Sequence, residues 1–92
     1  MKISVMYTAQ LRNATGCSFE ELEIPDSAAV ADVLRRAEQE HGETLGRYLR
    51  DESGNLKKTI LIFVNEDQVR PDDEDTLTPG DTVTLMSPIA GG

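Results

Sequence analysis

Val30, Val33, Leu34, Ala37 and His41 recur at the spacing of one helix face, and this stripe lies between two sets of strand-like segments. That placement constrains the fold more than anything else in the chain. One amphipathic helix covers one face of a sheet, so the strands before and after it must pack beneath it and leave their other face open. Pro25-Asp26-Ser27 supplies the start, with Asp26 or Ser27 as N-cap, and Gly42 sits where a helix-ending glycine belongs. Leu45 and Leu49 extend the helical pattern by a further turn or two.

The strands are legible from their alternation. Lys2–Thr8 places Ile3, Val5 and Tyr7 on one face and Ser4, Met6 and Thr8 on the other. Asn13-Ala14-Thr15-Gly16 reads as a turn into a second strand over Ser18–Ile24, with Leu22 and Ile24 inward, so the two form a hairpin. Asp51–Asn55 is a loop. Thr59–Val64 is a third strand with Ile60, Ile62 and Val64 inward and Leu61 and Phe63 outward; Gln68-Val69 is a short fourth. Thr78-Pro79-Gly80-Asp81 has the Pro-Gly centre of a type II turn, and Thr82–Met86 is the last strand, with Val83 and Leu85 inward. The order ββαβββ predicts an α+β domain over residues 1–86. By parity Met6, Phe19, Leu61, Phe63 and Met86 share the uncovered face, which reads as a docking surface for a partner.

Composition narrows the function. With 92 residues and 38% apolar content there is one domain and one modest core. The net charge of −8 argues against nucleic acid, whose binders carry basic patches. No apolar run approaches the ~20 residues of a membrane span. A lone cysteine, Cys17, with a strand already beginning at Lys2, predicts a reducing, cytoplasmic setting without a leader. Asp72–Asp75 reads as a solvated acidic loop, and Arg47, Arg50, Lys57 and Lys58 as surface charge.

The remaining segment, Ser87-Pro88-Ile89-Ala90-Gly91-Gly92, follows the last strand as a flexible tail over 87–92. Two glycines bury nothing and lose the most backbone freedom when ordered, so a diglycine end is suited to threading through a narrow channel. Fully extended, the six residues reach at most ~20 Å. Pro88 stiffens the base of the arm, Ile89 offers an apolar foothold, and only side-chain-free residues pass the narrowest part.

Taken together, the strand-turn Val64-Asn65-Glu66-Asp67, the Pro79-Gly80-Asp81 turn, the hydrophobic last strand, Tyr7–Arg12 and the Pro88–Gly92 end resemble the small ubiquitin-like sulfur carriers of the MoaD/ThiS family. The resemblance covers essentially the whole chain. It implies a β-grasp fold: a mixed sheet of four to five strands with one main helix on one face. It also implies a function as a sulfur carrier and cosubstrate, not an enzyme. An E1-like adenylyltransferase of the MoeB/ThiF type would activate Gly92 with Mg-ATP, a sulfurtransferase would supply sulfur, and the resulting thiocarboxylate would pass it to an acceptor. In the molybdopterin pathway that acceptor is the large subunit of a synthase; cysteine and thiamine biosynthesis use similar carriers. One departure bears on the pathway: molybdopterin-type carriers usually have Asn-Gly where this chain has Asn65-Glu66, and that difference, with Asp67-Gln68-Val69-Arg70 and with Ala90 before the glycines, looks more like the cysteine-biosynthesis carriers.

The expected site is therefore Gly92 and Gly91 for the chemistry, with Met6, Leu61, Phe63, Met86, Pro88, Ile89, Ala90 and Arg12 contacting partners. No cofactor or metal is expected on the chain itself. One histidine and one cysteine are too few for a structural zinc site; Cys17 reads as a small strand residue with no histidine near it in sequence, and His41 as a partly buried helix-end residue. Two other classes use the same features: a protein modifier joined to target lysines through Gly92, and a β-grasp interaction module whose glycines are incidental.

Overall fold

Alternating inward residues build the sheet and the helical stripe closes it. In the computed structural model, which describes residues 1–87, the elements run β1 (Lys2–Tyr7), α1 (Gln10–Thr15), β2 (Phe19–Glu23), α2 (Val30–His41), α3 (Glu43–Leu49), β3 (Leu61–Val64), β4 (Asp67–Val69) and β5 (Thr82–Met86). The sheet order is β2-β1-β5-β3-β4. β5 lies between β1 and β3, parallel to β1 and antiparallel to β3, while β1–β2 and β3–β4 are antiparallel pairs. The sheet is mixed because α2 and α3 carry the chain across its face before β3 begins.

The central strands carry the driest positions: Ile3, Val5, Val83 and Leu85 are each 0% exposed. Over them lie Val30, Val33, Leu34 and Ala37 of α2 and Leu45 and Leu49 of α3, all buried. Burying a side chain of this size stabilises the fold by about 1.5–3 kcal/mol. Val64 and Val69 pack at the margin of the same core.

Three local expectations are corrected. The β1–β2 connection is not a simple turn: Gln10–Thr15 winds into a helix because Leu11 has core to enter and is fully buried. Gly16 ends that helix in the left-handed conformation, φ 77°. The N-cap of α2 is Ala29, not Asp26 or Ser27; the carboxylate of Asp32 reaches back to accept from the Ala29 N–H at 2.9 Å. This leaves Pro25–Ala28 free to run as a connector in which Ala28 accepts from Leu77 N at 2.9 Å. The third strand begins at Leu61, although Ile60 is buried as its parity requires.

Asn65 does more than turn the chain. It takes a left-handed backbone, φ 56°, which asparagine tolerates better than most residues. Its amide donates to Asp81 Oδ1 and accepts from Thr82 N, both at 3.1 Å. The β3–β4 turn is thus tied to the entry of β5. Gly80, φ 89°, and the Asp81 N to Thr78 O bond of 3.0 Å give the expected turn before that strand.

Candidate functional site

Pairing register puts the outward residues into rows. Phe19 of β2 faces Met6 of β1, Met6 faces Thr84 of β5, Thr84 faces Phe63 of β3, and Phe63 faces Gln68 of β4. The adjacent row pairs Met86 with Leu61. Met6 is 41% exposed, Phe19 53%, Leu61 40% and Met86 36%; Phe63 is half-buried among them. The parity assignment therefore holds for all five. Among the described residues the exposed large apolar side chains number five, and Tyr48 is the one outside this face.

Strand direction concentrates the patch at one end. Met6 and Met86 lie near the ends of the parallel strands β1 and β5, and Phe19 and Leu61 begin the antiparallel strands beside them. The sheet edge where β5 finishes and residue 87 begins is the edge that carries these four side chains. β1 leaves at the same edge, where Thr8 N donates to Leu85 O at 3.3 Å, and α1, with Arg12 on it, follows directly. The expected tail residues Pro88, Ile89, Ala90, Gly91 and Gly92 lie outside the described residues.

Charge is distributed unevenly around this patch. At the opposite end of the sheet, Asp67, Asp73, Asp75 and Asp81 line a cleft of about 200 Å³ with Val64 and Asn65. Next to Leu61, along β3 and β4, Lys57, Lys58 and Arg70 line a groove of about 300 Å³. Arg50 is already engaged: its Nη2 donates to Glu38 Oε1 at 2.7 Å, joining the end of α3 to α2.

A second cluster lies on the helix-covered face. Glu20 shares the inward side of β2 with Leu22 and meets the end of α2, where His41 Nε2 lies 2.5 Å from Glu20 Oε2. The Tyr7 hydroxyl donates to the same oxygen at 2.6 Å, and the Tyr7 and His41 rings meet edge-on, centroids 5.7 Å apart. Burial, then the hydrogen bond to Glu20, pushes the Tyr7 hydroxyl well above the ordinary tyrosine range. Cys17 joins them: one ligand atom each from Cys17, Glu20 and His41 lie within 4.8 Å of one another. The absence of a histidine near Cys17 in sequence is thus misleading, because α2 returns His41 to it. The signal available in the sequence was Glu20 itself, a carboxylate on the inward parity of Leu22 that requires polar partners.

Among the described residues no helix is long and apolar enough to cross a membrane.

Residues 5–92 match the ThiS family. The molybdopterin synthase sulfur carrier subunit of Chlamydomonas reinhardtii is 29% identical over 92 residues, covering all of both chains. The crystal structure of SAMP1 from Haloferax volcanii superposes with a TM-score of 0.89 over 100% of both chains at 21% identity, a likeness of fold. The Amycolatopsis orientalis BexX/CysO complex contains a chain 28% identical, TM-score 0.69, with 98% of this chain and 99% of that one covered. The fold is β-grasp, and the family match runs from the first strand through the diglycine. The chain belongs to the ThiS family of small ubiquitin-like sulfur carriers.

Proposed function

We propose that the protein carries sulfur as a thiocarboxylate on Gly92 and presents it to a synthase docked on the open sheet face. The observation that carries this reading is continuity: β5 ends, and residue 87 leaves, at the edge that holds Met6, Phe19, Leu61 and Met86, and the family match extends to Gly92. A partner seated on the apolar patch is within the ~20 Å reach of six extended residues.

The chemistry asks little of the chain. An α-carboxylate with a pKa of roughly 3.5 is ionised at neutral pH. Its oxygen attacks the α-phosphorus of ATP in the activating enzyme and pyrophosphate leaves. The terminal sulfur of a sulfurtransferase persulfide then displaces AMP from the acyl carbon, and a second thiol cleaves the resulting acyl disulfide, leaving the thiocarboxylate on Gly92 and a disulfide on the donor. Mg-ATP is held by the activating enzyme, of the MoeB/ThiF type, and the carrier supplies no general base. Selectivity among carboxylates comes from reach, because the 17 Asp and Glu side chains sit on short stems over a folded body.

We assign the large subunit of molybdopterin synthase as the leading acceptor, on the strength of the full-length likeness to the algal carrier subunit. Asn65-Glu66 and the likeness to a chain of the BexX/CysO complex keep cysteine biosynthesis as the competing acceptor. The setting proposed is the reducing cytoplasm, where a thiocarboxylate persists.

Intact-mass spectrometry of the protein isolated from its own host tests the reading. Terminal oxygen replaced by sulfur supports it. Diglycine remnants branched onto lysines of other proteins, with no sulfur form present, would replace it with the modifier role.

A further inference from the structure

We propose that Cys17, Glu20 and His41 form a binding site for a single zinc-class divalent cation, with one coordination position open to solvent. The donors are a thiol, an imidazole and a carboxylate, the mixture that borderline cations such as Zn²⁺ select over calcium or magnesium. Their ligand atoms lie within 4.8 Å of one another, and the His41 and Glu20 side chains are 15% and 19% exposed, enough for entry from solvent. They come from three separate elements: the loop before β2, β2 itself, and the last turn of α2.

The distances can be compared with a tetrahedral centre. Metal–nitrogen and metal–oxygen bonds of about 2.0–2.1 Å set those two ligands roughly 3.3 Å apart, and a metal–sulfur bond of about 2.3 Å sets sulfur roughly 3.6 Å from nitrogen. His41 Nε2 and Glu20 Oε2, at 2.5 Å, must part by about 0.8 Å. The thiol closes by at most about 1.2 Å from the 4.8 Å bound. Both are rotamer-scale adjustments. The cation takes the place of the hydrogen between His41 Nε2 and Glu20 Oε2: the imidazole binds it as the neutral Nδ1–H form, any proton in excess of that one leaves to solvent, and the thiol proton goes to solvent as well. One thiolate and one carboxylate neutralise the two charges of the metal.

The surroundings hold the ligands in place. Thr15 Oγ1 donates to the Cys17 carbonyl at 2.8 Å and accepts from Cys17 N at 3.3 Å, fixing the backbone that carries the thiol. The Tyr7 hydroxyl orients the Glu20 carboxylate, the role that outer hydrogen-bond donors play at metal centres. This departs from the expectation of no metal, which counted histidine and cysteine and left out Glu20.

Titrating the reduced, tag-free full chain with Co²⁺ and then Zn²⁺ tests the assignment. Expected are one Co²⁺ per chain, a thiolate-to-cobalt charge-transfer band, its displacement by Zn²⁺, and a metal-loaded protein that remains monomeric. Cys17→Ala should abolish the band and His41→Gln should weaken binding, each with an unchanged circular dichroism spectrum. Tyr7→Phe, which keeps every ligand, should weaken affinity by about tenfold. Absence of the thiolate band in the unmodified protein overturns the proposal without reference to any variant. So would wild-type affinity in both Cys17→Ala and His41→Gln, or a metal-bridged dimer.

Discussion

On the helix-covered face of the sheet, Ile3, Val5, Val83 and Leu85 are 0% exposed. One residue further along the same strands, Met6 is 41% exposed and Met86 36%. The residue types are similar and the strands identical, so hydrophobicity alone does not distinguish the two faces. What differs is the cover. Residues under α2 and α3 stabilise the fold, whereas those opposite retain apolar area that no helix or strand among the described residues removes from water. The first face accounts for the fold, and the second, with the segment after β5, accounts for the proposed use of the fold.

Substitutions on the two faces should separate these roles. Leu85→Ala should cost about 2–5 kcal/mol in chemical denaturation, because it opens a cavity under the helices. Met86→Ala, next to it, should stay within about 0.5 kcal/mol; equal losses at the two positions would erase the distinction. Leu61→Asp should weaken binding to the sulfur-accepting partner by about 2 kcal/mol while leaving the monomer folded, as titration calorimetry and thermal melting would register. If it instead unfolds the domain, the open face is not a free surface.

Two smaller effects probe the covered side. Tyr7→Phe removes the hydrogen bond to Glu20 and should cost about 1–2 kcal/mol at neutral pH. Tyr7 holds its proton more tightly folded than unfolded, chiefly through burial. Its contribution is therefore complete below the ordinary value of 10.0 and is lost as pH rises beyond it, so the variant should show a flatter alkaline limb in its stability profile. Asp32→Ala removes the cap of α2 and should cost about 0.5–1 kcal/mol. The hydrogen bond from Ala29 N, then Arg35, holds the Asp32 carboxyl below its ordinary range. That stabilisation is present above the ordinary carboxylate pKa and disappears as pH falls through the lowered one, so the deficit should vanish in acid.

The extent to which this was legible in the sequence follows the range of the interactions. Period-two alternation is local, and it placed the inward residues of β1, β2, β3 and β5 correctly, along with the five outward ones. The stripe from Val30 to Ala37 did the same for α2. What escaped depended on distant partners. Gln10–Thr15 is helical because Leu11 reaches a core assembled from the rest of the chain. Asp32, not Asp26 or Ser27, accepts from the Ala29 N–H at the start of α2, and Ala28 just before it accepts from Leu77, far along the sequence. The Cys17–Glu20–His41 cluster requires the end of α2 to lie over β2, which no window of neighbouring residues contains. Asn65-Glu66 is visible in the sequence as a departure from Asn-Gly, but the two bonds of Asn65 to the Asp81–Thr82 segment belong to the folded sheet.

Adenylation of the terminal carboxylate tests the account most directly. Protein ending at Gly92, mixed with a purified MoeB/ThiF-type enzyme, Mg-ATP and labelled pyrophosphate, should support ATP–pyrophosphate exchange. Removal of Gly92 should abolish the exchange while the melting temperature stays the same. Exchange that persists without Gly92, or no exchange by the intact chain with any enzyme of that type, would contradict the assignment.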